Sequence, residues 1–236
     1  MSLIKEIDIN SEELLEILNK YVELADSESF KQTTQMHYET QKDSLPGERE
    51  RWTSDEYLHD LRTGKLGDHE GFPDHFVAIN LKPNQPEFMY QSFKKDADHE
   101  TSMKVKETIY RLNEDMMHFL AVRNNALCAF YPPEGYISWH NNWNAPGYNL
   151  IFSWSETGDG WFKHYDPNTG RIITHHDKPG WQLKAGYFGS FEGDPNKVCW
   201  HAASTNCRRI TVSFIFDHTD MALNLQDDVI AEISDP

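Results

Sequence analysis

The sequence predicts an α+β fold in which a helical N-terminal half supports an all-β jelly-roll or barrel. Three observations carry this. Apolar residues recur at helical spacing through roughly the first 120 residues. After Asn125 short runs of β-forming residues take over, and clusters of turn residues separate those runs at regular intervals.

The elements follow in chain order. Asn10-Ser11-Glu12-Glu13 offers a helix cap, and Leu14, Leu15, Ile17, Leu18, Tyr21 and Leu24 follow at helical spacing. A second, short helix is expected from Ser54 to about Leu66. A third runs from about Ser102 to Val122, with Val105, Ile109, Leu112, Met116 and Phe119 as its apolar stripe. Residues 67–86 are polar and rich in Gly, Pro and Asp, which reads as loop with room for one strand at Phe76–Leu81. Strands are then expected near Leu127–Tyr131, Tyr136–Asn142, Tyr148–Trp154, Trp161–Tyr165, Arg171–His175, Ala185–Phe191, Val198–His201 and Ile210–Phe216. Pro132-Pro133-Glu134-Gly135, Thr157-Gly158-Asp159-Gly160, Asp166-Pro167-Asn168-Thr169-Gly170 and Asp177-Lys178-Pro179-Gly180 punctuate them. One domain over residues 1–236 is expected, with 1–125 as mainly helical support and 126–220 as the β core.

Composition narrows the function. With 22 Lys and Arg against 38 Asp and Glu, the formal charge is −16, which disfavours a phosphate-backbone partner. One local arginine can still hold a small anion. No apolar run reaches the ~20 residues of a membrane helix, and the N-terminus lacks a signal-type apolar stretch. Three cysteines without a CxxC pair argue against a disulfide framework, so a reducing cytoplasm is expected.

Chemistry concentrates in two places. Tyr131-Pro-Pro-Glu-Gly-Tyr-Ile-Ser-Trp-His140-Asn-Asn142 is the first; strand alternation sets Tyr136, Ser138, His140 and Asn142 on one face. The second is Trp200-His201 followed by Arg208-Arg209-Ile-Thr211-Val-Ser213. Arg209 keeps phase with Thr211 and Ser213, so it is taken as the inward arginine and Arg208 as the outward one. Trp143 and Trp161 are candidates for a substrate wall, and Asn144 lies in the loop directly after the His140 strand.

The order Tyr131-x-x-x-Gly-Tyr-x-x-x-His140-x-Asn142, then Trp200-His201, then Arg209-x-Thr211, resembles the 2-oxoglutarate- and iron(II)-dependent dioxygenases in their prolyl 4-hydroxylase-like branch, over residues 127–216. The resemblance implies a double-stranded β-helix core and hydroxylation of an organic substrate coupled to decarboxylation of 2-oxoglutarate to succinate. It implies His140 and His201 as iron ligands, with Arg209 and Thr211, and Tyr131 beside them, holding the far carboxylate of 2-oxoglutarate. The substrate is then a small molecule or peptide.

Where the family carries a metal carboxylate, this chain has Asn142. Its amide oxygen can ligate weakly, it can hold a water or anion in the vacant position, or the site can be inactive; a remote acid such as Asp166 or Asp194 is a further alternative. Two other readings stay open. One is a cupin-like metal enzyme that does not use 2-oxoglutarate, which requires Arg209 outside the pocket. The other is a binding module with a decayed site.

Overall fold

The computed structural model describes residues 4–34, 47–67, 69, 71–83, 92–142, 146–189, 198–216 and 220–235, and for 220–224 the backbone only. Six helices are described: α1 (Glu12–Asp26), α2 (Glu28–Thr33), α3 (Glu48–Trp52), α4 (Asp55–Arg62), α5 (His99–Phe119) and α6 (Asp220–Ser234). The strands are β1 (Ile4–Ile7), β2 (Phe76–Val77), β3 (Ile79–Asn80), β4 (Asn124–Tyr131), β5 (Tyr136–His140), β6 (Gly147–Ser155), β7 (Gly160–Asp166), β8 (Arg171–His176), β9 (Gly180–Phe188), β10 (His201–Thr205) and β11 (Arg209–Phe216).

Two antiparallel sheets face each other. Their strand orders are β1-β9-β6-β11-β4-β3 and β2-β5-β10-β7-β8. The eight strands β4 to β11 divide equally between the sheets, with β4, β6, β9 and β11 in one and β5, β7, β8 and β10 in the other. That interleaving is the double-stranded β-helix. The segment from β2 to β3 crosses from one sheet to the other, pairing with β5 and then β4. At the opposite side β1 extends the larger sheet along β9.

Helix starts are set by short polar caps. Ser11, Ser27 and Ser54 accept from backbone N–H groups three residues on, as does the Asp98 carboxylate from Thr101. Asp98 therefore starts α5 at His99, three residues before the expected Ser102.

The larger sheet turns its apolar residues outward. Phe130, Phe152, Leu183, Val212 and Phe214 pack against Leu14, Leu18, Tyr21, Ile109, Leu112 and Met116 of α1 and α5. The alternate residues Ser153, Arg209, Thr211 and Ser213 are buried but polar, and they face the second sheet. The interior of the sandwich is thus the polar side of this sheet, and helices supply the hydrophobic cover. On the far side of the second sheet, Trp139 and Ala202 pack against Tyr57, Leu58 and Leu61 of α4.

Several elements differ from the sequence reading. The strand expected at Ala185–Phe191 begins at Gly180, because β9 pairs with the whole of β6. The strand expected at Val198–His201 begins where that one was to end and runs to Thr205. β1, α2, α3 and α6 were not anticipated; all but α6 are short, and each is held by tertiary partners rather than by strong local pattern. Among the described residues no helix is long and apolar enough to cross a membrane.

Ile109 is wholly buried between α5 and the sheet. Ile109→Ala is expected to lower unfolding free energy by about 2–5 kcal/mol in urea titration. Lys104→Ala, on the exposed face of the same helix with its nitrogen 2.7 Å from Glu100, should leave the midpoint nearly unchanged.

Candidate active site

Antiparallel pairing sets His201 on β10 directly opposite His140 on β5. Their rings lie 4.0 Å apart between centroids, tilted by 52°. The Nδ1 of His140 lies 2.8 Å from the Ser138 carbonyl, and that of His201 lies 2.9 Å from the Cys199 carbonyl. A carbonyl oxygen only accepts, so both Nδ1 atoms carry the proton and both Nε2 atoms are unprotonated. This is the tautomer a metal-ligating imidazole needs, fixed by its outer hydrogen bond. Phe188 meets the His201 ring edge-on at 4.6 Å and further restrains it.

Burial pushes the His140 imidazolium down to about 4 and that of His201 well below its ordinary value, so both rings are neutral at pH 7.

Asn142 stands beside them, with its Nδ2 3.5 Å from Nε2 of His201. Its backbone is left-handed (φ 51), a region asparagine tolerates better than most residues. Two contacts hold it there. Its N–H donates to the Gly71 carbonyl at 2.8 Å, and Gly189 packs so close that a Cβ would lie 2.7 Å from the Asn142 carbonyl oxygen. A side chain at 189 fits only if the Asn142 turn or Pro146 shifts. Among the described residues no group of three His, Cys, Asp or Glu side chains converges at metal-binding distance. His140, His201 and Asn142 bring two imidazoles and a neutral amide together.

Arg209 opens β11 and is buried. Its Nε donates to Asp177 Oδ2 at 2.8 Å and its Nη2 to Ser153 Oγ at 3.1 Å; Nη1 donates to Thr211 Oγ1. Lys184, also buried, has its nitrogen 4.0 Å from the other Asp177 oxygen. Two cations thus share one carboxylate, an arrangement that favours an added anion. Tyr131 completes the wall, its ring 5.6 Å from the guanidinium carbon; burial raises its phenol pKa. Asp177 and Lys184 had no signal in the sequence, since neither belongs to a spaced motif and only β9 and its preceding turn bring them to Arg209.

His140, Asn142, His201, Tyr131, Arg209 and Thr211 all line one cavity between the sheets, with an empty volume near 1080 Å³ including its open mouth. Arg208, by contrast, is outside and pairs with Asp26 and Glu156.

Some sequence expectations land elsewhere. A bulge breaks the β5 alternation: His140 pairs with His201 but Ile137 pairs with Ala203, so two residues of β5 face one of β10. Ile137, rather than Tyr136 or Ser138, shares the cavity with His140. Trp161 is on the outer face of β7, beside Tyr57 and Leu58; Phe162 is the β7 residue that lines the cavity. Asp166 is spent on its own turn, accepting from Asn168 and Thr169. Away from the cavity lining, His175 sits between Glu6 and His164, bonded to both, and His176 is exposed. Trp143, Asn144 and Asp194 lie outside the described residues.

No protein-family model matches the chain, and no curated protein matches it. Solved structures resemble it distantly. A prolyl hydroxylase from Trichoplax adhaerens, in complex with a hypoxia-inducible-factor peptide, shows 12% identity over 94% of this chain and 87% of its own, with a TM-score of 0.42. A prolyl 4-hydroxylase from Pseudomonas putida shows 12% identity over 81% and 97%, with a TM-score of 0.31. Dioxygenase for auxin oxidation 1 from Arabidopsis thaliana, solved with 2-oxoglutarate, shows 12% over 93% and 85%, with a TM-score of 0.37. The fold assignment made above rests on the strand order.

The neutral imidazoles make stability depend on pH. As pH falls from about 6.5 to about 4, the unfolded chain takes up a proton that the folded His140 refuses. The metal-free protein should therefore lose stability over that window, by on the order of 3 kcal/mol from this ring alone. Urea midpoints measured against pH should show the loss, and His140→Gln should reduce it, leaving the share that His201 and His164 contribute.

Proposed function

We propose that this chain is an iron(II)- and 2-oxoglutarate-dependent oxygenase, most naturally a hydroxylase. One observation carries the reading: two neutral imidazoles with unprotonated Nε2 atoms, on facing residues of paired strands, share a cavity with a buried arginine that still has N–H groups to give. Iron(II) suits imidazole and oxygen donors, and a planar guanidinium suits a carboxylate.

The residues divide the work. His140 and His201 hold the metal from one side, pre-oriented by the Ser138 and Cys199 carbonyls. Asn142 can turn its amide so that Oδ1 replaces Nδ2 beside His201, as a neutral third donor or as an anchor for a water or anion. The missing carboxylate makes metal affinity lower than a charged ligand would give, and leaves the site one negative charge short. Arg209 binds the far carboxylate of 2-oxoglutarate with its remaining N–H groups, while Asp177, Ser153 and Thr211 hold its plane. Lys184 offsets Asp177, so that Arg209 retains net attraction for the anion. When bound, iron and 2-oxoglutarate supply the oxidising chemistry, and the protein orients the partners and keeps water out.

Anaerobic addition of iron(II), then 2-oxoglutarate, to the metal-free protein should produce the weak visible charge-transfer band of the chelate. His140→Ala and His201→Ala should abolish it. Arg209→Ala should keep iron but weaken 2-oxoglutarate affinity by about tenfold or more. Asn142→Asp should tighten iron binding by restoring a charged ligand. Iron without the band would point to a metal enzyme with another co-substrate, and no iron at all to a binding module.

A further inference from the structure

We propose that the outer part of the cavity takes a small, uncharged, mainly apolar organic molecule on the scale of one or two aromatic rings. The inference rests on the oxygenase reading only for what then happens to that molecule; binding itself stands on the cavity walls.

The mouth is apolar and partly open. Phe72 lines it while remaining 46% exposed, and Phe76, Leu127 and Ile137 are half-buried around it. An exposed phenylalanine at the rim of a large cavity is the signature of an apolar ligand site rather than of a folding core. Deeper in, Ile151 and Phe162 continue the same surface toward His201.

Charge points the same way. Among the described cavity-lining residues Arg209 is the sole Asp, Glu, Lys or Arg, and it lies at the inner wall with Asp177. Among the described lining residues no acid meets an incoming cation, and no second cation serves an anion once Arg209 is engaged.

The side-chain amides of Asn149 and Asn80 in the outer cavity are partly committed to the fold. Asn149 accepts from Ser213 Oγ at 3.1 Å and donates to the Gly147 carbonyl at 2.9 Å; Asn80 accepts from the Lys82 N–H at 3.1 Å. A charged or strongly polar ligand would leave its hydration behind and find few partners, whereas an apolar one gives up only unfavourable contact with water. A peptide fits poorly for the same reason, since it carries an N–H and a C=O at nearly every residue.

Binding can be read without turnover by fluorine NMR on the full chain, with 2-oxoglutarate present to engage Arg209. The probes are 4-fluorotoluene, 1-fluoronaphthalene, 4-fluorobenzoate and 4-fluorobenzylamine. At least one neutral probe should bind saturably, and both charged isosteres about tenfold more weakly or worse. Ile137→Trp, at the partly exposed rim, should block the neutral probe. Leu127→Glu should weaken it and strengthen 4-fluorobenzylamine. Arg209→Ala should weaken 2-oxoglutarate while leaving the neutral probe bound. The inference is overturned if neither neutral probe binds, if a charged isostere binds as well, or if both rim variants bind the neutral probe like the parent. If a neutral probe binds while 2-oxoglutarate does not, the oxygenase reading fails and the ligand class stands.

Discussion

Antiparallel pairing of β10 between β5 and β7 places His201 opposite His140, and most of the site's chemistry follows from that register. Shifting β10 by one residue would turn His201 to the α4 side, where Ala202 now packs. The register is held from both faces. Trp139 and Ala202 are locked against α4, while Phe162 and Phe188 enclose His201 within the sandwich. Two backbone carbonyls then choose the tautomer, and burial keeps the rings neutral. Geometry, proton placement and charge therefore come from the same strand pairing.

The larger sheet solves a complementary problem. Its inward face carries serine, threonine and arginine, which cannot drive folding. Burying the other face under α1 and α5 supplies the apolar area instead. The N-terminal helices thus stabilise the sheet while its inner side stays free for function. The Arg209–Asp177–Lys184 cluster is the most demanding part of that inner face: each ion is buried, and removing Asp177 would leave two buried cations uncompensated.

How much of this was legible in the sequence depended on range. The long helices, and most strands after Asn125, could be read because their periodicity and turn residues are local. The family resemblance, rather than any local pattern, singled out His140, His201, Arg209 and Thr211, and strand phase separated Arg209, which lines the cavity, from Arg208, which does not. The β5 bulge was invisible because it depends on how β10 fits two partners at once, so Ile137 was exchanged for Ser138. Trp161 was misplaced for want of the β7 phase that puts Phe162 inside. Asp177 and Lys184 could not be found because a partner 25 or 32 residues away leaves no mark on local pattern.

The account stands on two Nε2 atoms jointly accepting one metal ion. Its most direct test is a long-range proton–nitrogen NMR spectrum of the histidines, before and after zinc(II) as a redox-silent stand-in. His140 and His201 should both appear as Nδ1–H tautomers, and on zinc addition their Nε2 signals should shift together at one equivalent of metal. An Nε2–H tautomer at either ring, or zinc shifts at His164 and His175 instead, would contradict it.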